Sequence, residues 1–226
     1  MKARKLLRAA IFGLLCLPAV AQAHYVWIES ETNAEARVYF GEFNEGVREK
    51  AGGRLDERAA LEAWSVRADH AKLALELVKR PDHFALRLDK AAGWVLATDT
   101  KTEVKDYRKN HLGIVKPMFY ARAAIANQPA AASPSLRLDM LPVAGDAKAV
   151  QVFFDGRPLA KAKVAVYAPN LWMQELQTDE QGKLTPATPW PGRYVLDVVH
   201  EEGKPGEFKG QRYEAVRHRM TLSFVR

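Results

Sequence analysis

Turn residues interrupt this 226-residue chain at short intervals, and that punctuation leaves room for short strands and little else. The second half shows it most clearly. Residues 135–141 (SLRLDML) alternate, with apolar side chains at 136, 138 and 140. Residues 150–154 read as a strand, and Asp155-Gly156 is a tight-turn pair. Another strand is expected at 163–167. Residues 174–177 then lead into the turn 178–182 (TDEQG). Pro189-Trp190-Pro191-Gly192 precedes a long strand over 193–200. Residues 201–210 are a charged, glycine-containing excursion, and 213–225 reads as a closing strand. Such spacing describes an immunoglobulin-like or transthyretin-like sandwich.

The first half is similar in kind. Residues 24–29 (HYVWIE) and 36–43 (ARVYFGEF) read as strands, and 44–58 as a loop with a short helix. Strands are expected at 61–67, 73–79, 84–88 and, after a turn at 91–93, at 94–98. Residues 114–127 (IVKPMFYARAAIAN) leave two readings open. The alanines allow a helix, whereas Pro117 and the β-branched and aromatic residues allow a strand. Residues 128–135 (QPAAASPS) suit a linker. The expectation is an all-β protein of two β-sandwich subdomains, 24–127 and 135–226, behind a signal peptide at 1–23.

That signal peptide rests on three features. Residues 1–8 carry four positive charges, residues 9–20 are largely apolar, and Ala21-Gln22-Ala23 offers small residues at the cleavage site. The apolar stretch is too short to span a bilayer core of roughly 30 Å, and no later segment is a spanning candidate. Leu15 before Cys16 spoils a lipidation site. Cleavage after Ala23 would leave a periplasmic chain with no cysteine, hence no disulfide, and with no membrane span. Its net charge would fall from +7 to +3, because residues 1–23 hold four basic and no acidic side chains. A small balance of interspersed charges does not argue for nucleic acid. No phosphate loop, nucleophile elbow or metalloprotease helix is present. No positioned pair of carboxylates stands out either, so the expectation is a protein that is not an enzyme.

Cleavage would make His24 the first residue. A terminal histidine offers an α-amine and an imidazole nitrogen that can close a chelate ring on one metal. Such nitrogen donors suit Cu(II), Ni(II) or Co(II). The amine's ordinary pKa, near ~8, lets it shed its proton to a metal at neutral pH. The other histidines are His70, His83, His111, His200 and His218, and none forms an i, i+4 pair. His200 and His218 fall on strands either side of the charged excursion, so a hairpin of suitable register would bring them together. His83 and His111 sit among charged residues and are expected to be solvated. Glu29, Glu42 and Glu45 could supply an oxygen ligand, but are expected at the surface. Lys116, Tyr120 and Arg122 would share a face if their segment is a strand, and could form an anion or partner site. The five tryptophans, Trp27, Trp64, Trp94, Trp172 and Trp190, are expected mainly to fill cores rather than to stack on sugars.

His24-Tyr25-Val26-Trp27-Ile28-Glu29 directly after a signal peptide resembles the start of a family of periplasmic proteins of unknown function associated with cobalt and nickel uptake systems. The second half is similar as well: Phe154-Asp155-Gly156-Arg157-Pro158-Leu159, residues 163–167, Thr178 to Gly182, and Pro191-Gly192-Arg193-Tyr194 leading to His200. These turns also occur in carboxypeptidase-regulatory-like modules. The resemblance implies two β-sandwich subdomains and periplasmic handling of a divalent metal (nickel, cobalt or copper), beside a TonB-dependent receptor or a metal transporter. By position it makes His24 and His200 metal ligands, with His218 matching less closely. Residues 101–127 depart from the family pattern, and their role stays open. Two other functions are weighed against this one: an envelope adhesion module for a glycan or protein, and a copper-dependent oxidative enzyme.

Overall fold

The computed structural model describes residues 24–30, 32, 34–89, 91–125 and 133–226. The expected signal peptide and most of the expected linker lie outside them. The described chain is built from strands and short 3-10 turns, as the punctuation implied. It is an all-β sandwich.

A nine-stranded sheet forms the middle layer. Its strands run in the order Met173–Gln177, Lys163–Tyr167, Arg193–Glu202, Ala215–Val225, Ile114–Ala124, Ala92–Asp99, Glu62–Arg67 and Lys72–Leu75, with Lys105–Asp106 alongside Ile114–Ala124. A five-stranded sheet containing Tyr25–Ser30, Glu35–Glu42 and Phe84–Arg87 covers one face. A four-stranded sheet containing Leu138–Val143 and Asp146–Phe154 covers the other. The two halves of the chain therefore share a sheet. Ile114–Ala124 from the first half pairs in parallel with Ala215–Val225 from the second, over Val115↔Ala215 to Ala123↔Ser223.

The ambiguous segment resolves as the strand Ile114–Ala124. Its antiparallel neighbours pair only at 114–115 and at 119–124. Pro117 sits in the gap, where a missing N–H interrupts no antiparallel ladder. The expected strand 73–79 is instead two short ones, Lys72–Leu75 and Val78–Lys79. The Asp-Gly turn forms as expected, with Asp155 at φ 48° and Gly156 at φ 74°. The charged excursion carries a small hairpin of its own, Gly206–Phe208 with Gln211–Tyr213.

Strand alternation distributes the core. Along Ala215–Val225, Met220 and Leu222 join Met140, Val150, Val152, Leu196 and Val198 in the core facing the four-stranded sheet. Thr221 points the other way and donates from Oγ1 to the Val26 carbonyl at 2.8 Å. Val26, Ile28, Val38 and Phe40 pack with Val95, Phe119 and Ala121 in the core on that second face. The central sheet thus separates these two cores, a third buried cluster gathers Tyr25, Trp27 and Tyr39 with Val195, and a residue's parity along a strand decides which one it enters.

Candidate metal centre

His24 stands immediately before the first strand. Tyr25 pairs with Gly41 across the hairpin, so the next step of the register brings His24 opposite Glu42. Gly41 (φ +150°) lets Val47–Arg48 fold back against its own strand; a Cβ at this position would collide with the Val47 carbonyl. That fold-back, with Glu49 N–H donating to the Phe40 carbonyl at 2.8 Å, brings Glu49 alongside His24 as well.

The imidazole lies between the two carboxylates. Nε2 is 2.5 Å from Glu49 Oε1, and Arg54 Nη1 stands 3.1 Å from the same nitrogen and 3.7 Å from that carboxylate. On that short contact we assign the ring proton to Nε2, donated to Glu49. Nδ1 is then a bare lone pair. It lies 3.0 Å from Glu42 Oε1 but is buried without a hydrogen bond. Glu42 is itself buried, at 5% exposure, so the expectation of a surface carboxylate does not hold for it. Nor does it for Glu29, which is buried and held by Trp27 Nε1 and Arg48 Nη2, each at 2.9 Å. Glu45 is exposed, as expected. Beside His24 runs a narrow cleft lined by Tyr107, Pro117, Phe119, Arg217 and Arg219.

His200 and His218 do meet. They are directly opposed in the antiparallel pair Arg193–Glu202 with Ala215–Val225, with ring centroids 6.4 Å apart. The register that the sequence left open is the one that joins them. His24 does not join them. His218 is fully buried on the face toward the four-stranded sheet, packed against Tyr120 and Phe154. Its strand neighbours Arg217 and Arg219 point to the opposite face, where they line the cleft beside His24. The expected grouping of His24, His200 and His218 around one metal is therefore corrected: the central sheet lies between them.

The nitrogens of His218 are both engaged. Tyr120 O–H donates to Nδ1 at 3.0 Å, and Nε2–H donates to Glu202 Oε2 at 3.3 Å. Arg137 holds the other Glu202 oxygen at 3.1 Å and also pairs with Asp155. Burial pushes the His218 imidazole down to about 4, against the pull of Glu202. It pushes His200 down as well and the Tyr120 phenol up. This is a neutral, satisfied histidine inside a core. Among the described residues no three His, Cys, Asp or Glu side chains converge on a single metal position. At His24 the reason is visible, because Glu42 and Glu49 address opposite nitrogens of the ring.

The remaining candidates are spoken for. Lys116 donates to the Thr100 and Thr102 carbonyls, both at 2.7 Å, and burial lowers it to about 8. Arg122 makes a buried two-pronged bridge to Asp139 at 2.9 and 2.7 Å. With Tyr120 on His218, this expected anion face has no free group. His83 is half-buried on Asp82 and Tyr39 rather than solvated, while His111 is exposed. Trp27 and Trp94 fill cores, but Trp172 and Trp190 are exposed. Glu49 was missed in the sequence. No local pattern marks it, since only the fold-back at Gly41 brings it to His24.

A family model described as a domain of unknown function (DUF4198) matches residues 21–202, a span that includes His24 and His200 and stops before His218. No curated protein and no solved structure matches the chain. With four-fifths of its length inside the match, the chain belongs to the DUF4198 family.

Proposed function

We propose that this is an exported, non-enzymatic protein that binds a divalent transition metal at His24 and assists its uptake. One observation carries the reading: the buried Nδ1 of His24 faces Glu42 Oε1 at 3.0 Å and makes no hydrogen bond. Two lone pairs that close repel unless a cation sits with them. Two ligands of one metal at ~2.1 Å, set at a right angle, lie roughly 3.0 Å apart. Removal of residues 1–23 would add the His24 α-amine, and amine, Nδ1 and Glu42 would make a three-donor N,N,O set. Such a set suits Cu(II), Ni(II) or Co(II). Glu49 on Nε2–H would be the outer carboxylate that fixes the ring and raises its basicity. His200 and His218 have no part in this site.

An uptake role, a periplasmic location and a TonB-dependent receptor or metal transporter as partner extend the same reading. No helix among the described residues is long and apolar enough to cross a membrane. The test is calorimetric titration of the protein beginning at His24 with Cu(II), Ni(II) and Co(II). One equivalent is expected to bind. Glu42→Gln and Glu49→Gln should each weaken binding about 10- to 100-fold, and His24→Ala should abolish it. Unaltered binding in His24→Ala, or loss of binding only in His200→Ala with His218→Ala, would refute the site.

A further inference from the structure

Amine, Nδ1 and Glu42 make three donors, and a tetragonal Cu(II) or Ni(II) centre takes four. The cleft beside His24 is where a fourth can stand. Glu49 and Arg54 close the Nε2 edge of the ring, and neither lines the cleft, so it opens on another edge. It holds about 270 Å³ of open space. That is below the roughly 300 Å³ at which drug-sized ligands begin to fit. A donor drawn from the wall itself suits such a space better than an organic cofactor does.

Among the side chains lining that wall, one has a donor to give. Pro117 and Phe119 carry none. Arg217 and Arg219 are paired with Glu201 and Asp197, and a guanidinium has no lone pair for a metal. Tyr107 remains. It is half-buried, and its hydroxyl makes no hydrogen bond among the described residues. Its backbone, by contrast, is fixed on both sides. Tyr107 N–H donates to the Gly113 carbonyl at 2.8 Å, and the Tyr107 carbonyl accepts from Asn110 and Leu112. The loop closes through Gly113, at φ +71°, where a Cβ would collide with Glu214 Oε2. The same Glu214 oxygen accepts from Ile114 N–H at 3.0 Å. A stiff loop thus carries a phenol with no partner into the cleft that His24 lines.

Charge points the same way. Cu(II) brings two positive charges and Glu42 offsets one, while the amine and imidazole are neutral. Glu49 is balanced by Arg54, and Arg217 and Arg219 by their own carboxylates. One positive charge is left in a site whose His24 and Glu42 side chains are 13% and 7% exposed. An uncompensated buried charge is costly, and a phenolate cancels it. The buried Arg58 guanidinium lies within electrostatic reach of Tyr107, so a phenolate there faces a cation. Tyr167, a phenol within reach of Glu42, is placed differently: burial, Asp197 and Glu42 push it up to about 12. We propose that Tyr107 is the fourth donor to the metal at His24, through its phenolate oxygen, its proton passing to solvent as the oxygen–metal bond forms. This rests on the His24 reading and makes the donors N,N,O,O, a set on which Cu(II) outcompetes Ni(II) and Co(II).

Cu(II) titration of the protein beginning at His24, followed by visible absorption, tests it. One equivalent should bind and raise a phenolate-to-copper charge-transfer band in the violet. Tyr107→Phe should still bind one equivalent, without the band and about tenfold more weakly or worse. Tyr167→Phe should keep both the band and the affinity. Copper binding without the band in the wild type, a band that Tyr107→Phe retains, or one that Tyr167→Phe loses would overturn the proposal while leaving His24 as the metal site. Absence of copper binding in the wild type would instead refute the His24 site, and this proposal with it.

Discussion

Two histidines in this protein have opposite fates, and their immediate neighbours decide which. His218 is sealed in a core, where Tyr120 and Glu202 satisfy a neutral ring. His24 keeps a buried nitrogen with an acceptor, not a donor, in front of it. The first arrangement has a consequence for stability. The folded His218 is pushed down to about 4, below its ordinary value near 6.5. Its contribution is therefore complete above about pH 6.5 and is lost as the pH falls through 4, because the unfolded chain takes up the proton first. The groups facing it are Tyr120, His200, Glu202, and through Glu202 the pair Arg137–Asp155. Urea unfolding of the wild type should lose up to about 3 kcal/mol between pH 7 and pH 4 from this residue. His218→Gln should show a flatter profile over that range. An equally steep profile in the variant would assign the acid sensitivity elsewhere.

Elements show how a single backbone position can set a site from a distance. Gly41 admits the fold-back that delivers Glu49, so Gly41→Ala should displace the segment around Val47 and Arg48. We expect a loss of more than ~1 kcal/mol in urea unfolding, together with weaker metal binding at His24. Stability and metal affinity both unchanged would contradict this account of the site. Much at this scale was legible in the sequence. The alternation at 136, 138 and 140 and the Asp155-Gly156 turn follow from local pattern, whereas the meeting of His200 with His218 needed a register that the sequence left open. Alternation fixes which side chains share a face of their own strand, but not which sheet will cover that face. The grouping of His24 with His200 and His218 rests on the family resemblance, and alternation carries nothing that would have corrected it. Glu49 and the burial of Glu42 were hidden for a related reason, since both depend on a fold-back made possible by one glycine's φ. The split of 73–79 into two short strands left no mark that periodicity could detect.

At the scale of the molecule, the parallel pairing of Ile114–Ala124 with Ala215–Val225 is the decisive feature. It makes the two halves of the sequence one sheet with a core on each face. Removing either half would strip a central strand of its neighbour and open both cores. Equilibrium unfolding should thus be a single transition, coincident by tryptophan fluorescence and far-ultraviolet circular dichroism. Two separated transitions would indicate halves that fold on their own. The same sheet explains why a metal at His24 and the histidine pair must be independent: Arg217 and Arg219 line the cleft on one face while His218 is buried under the other. Of the donors proposed to hold the metal, among them the His24 amine, Nδ1 and Glu42, the amine is the easiest to take away. The most direct measurement compares Cu(II) affinity of the protein beginning at His24 with that of the same chain retaining Ala23. The prediction is one tight site in the first and binding weaker by roughly 100-fold or more in the second. Equal affinities in the two would contradict it.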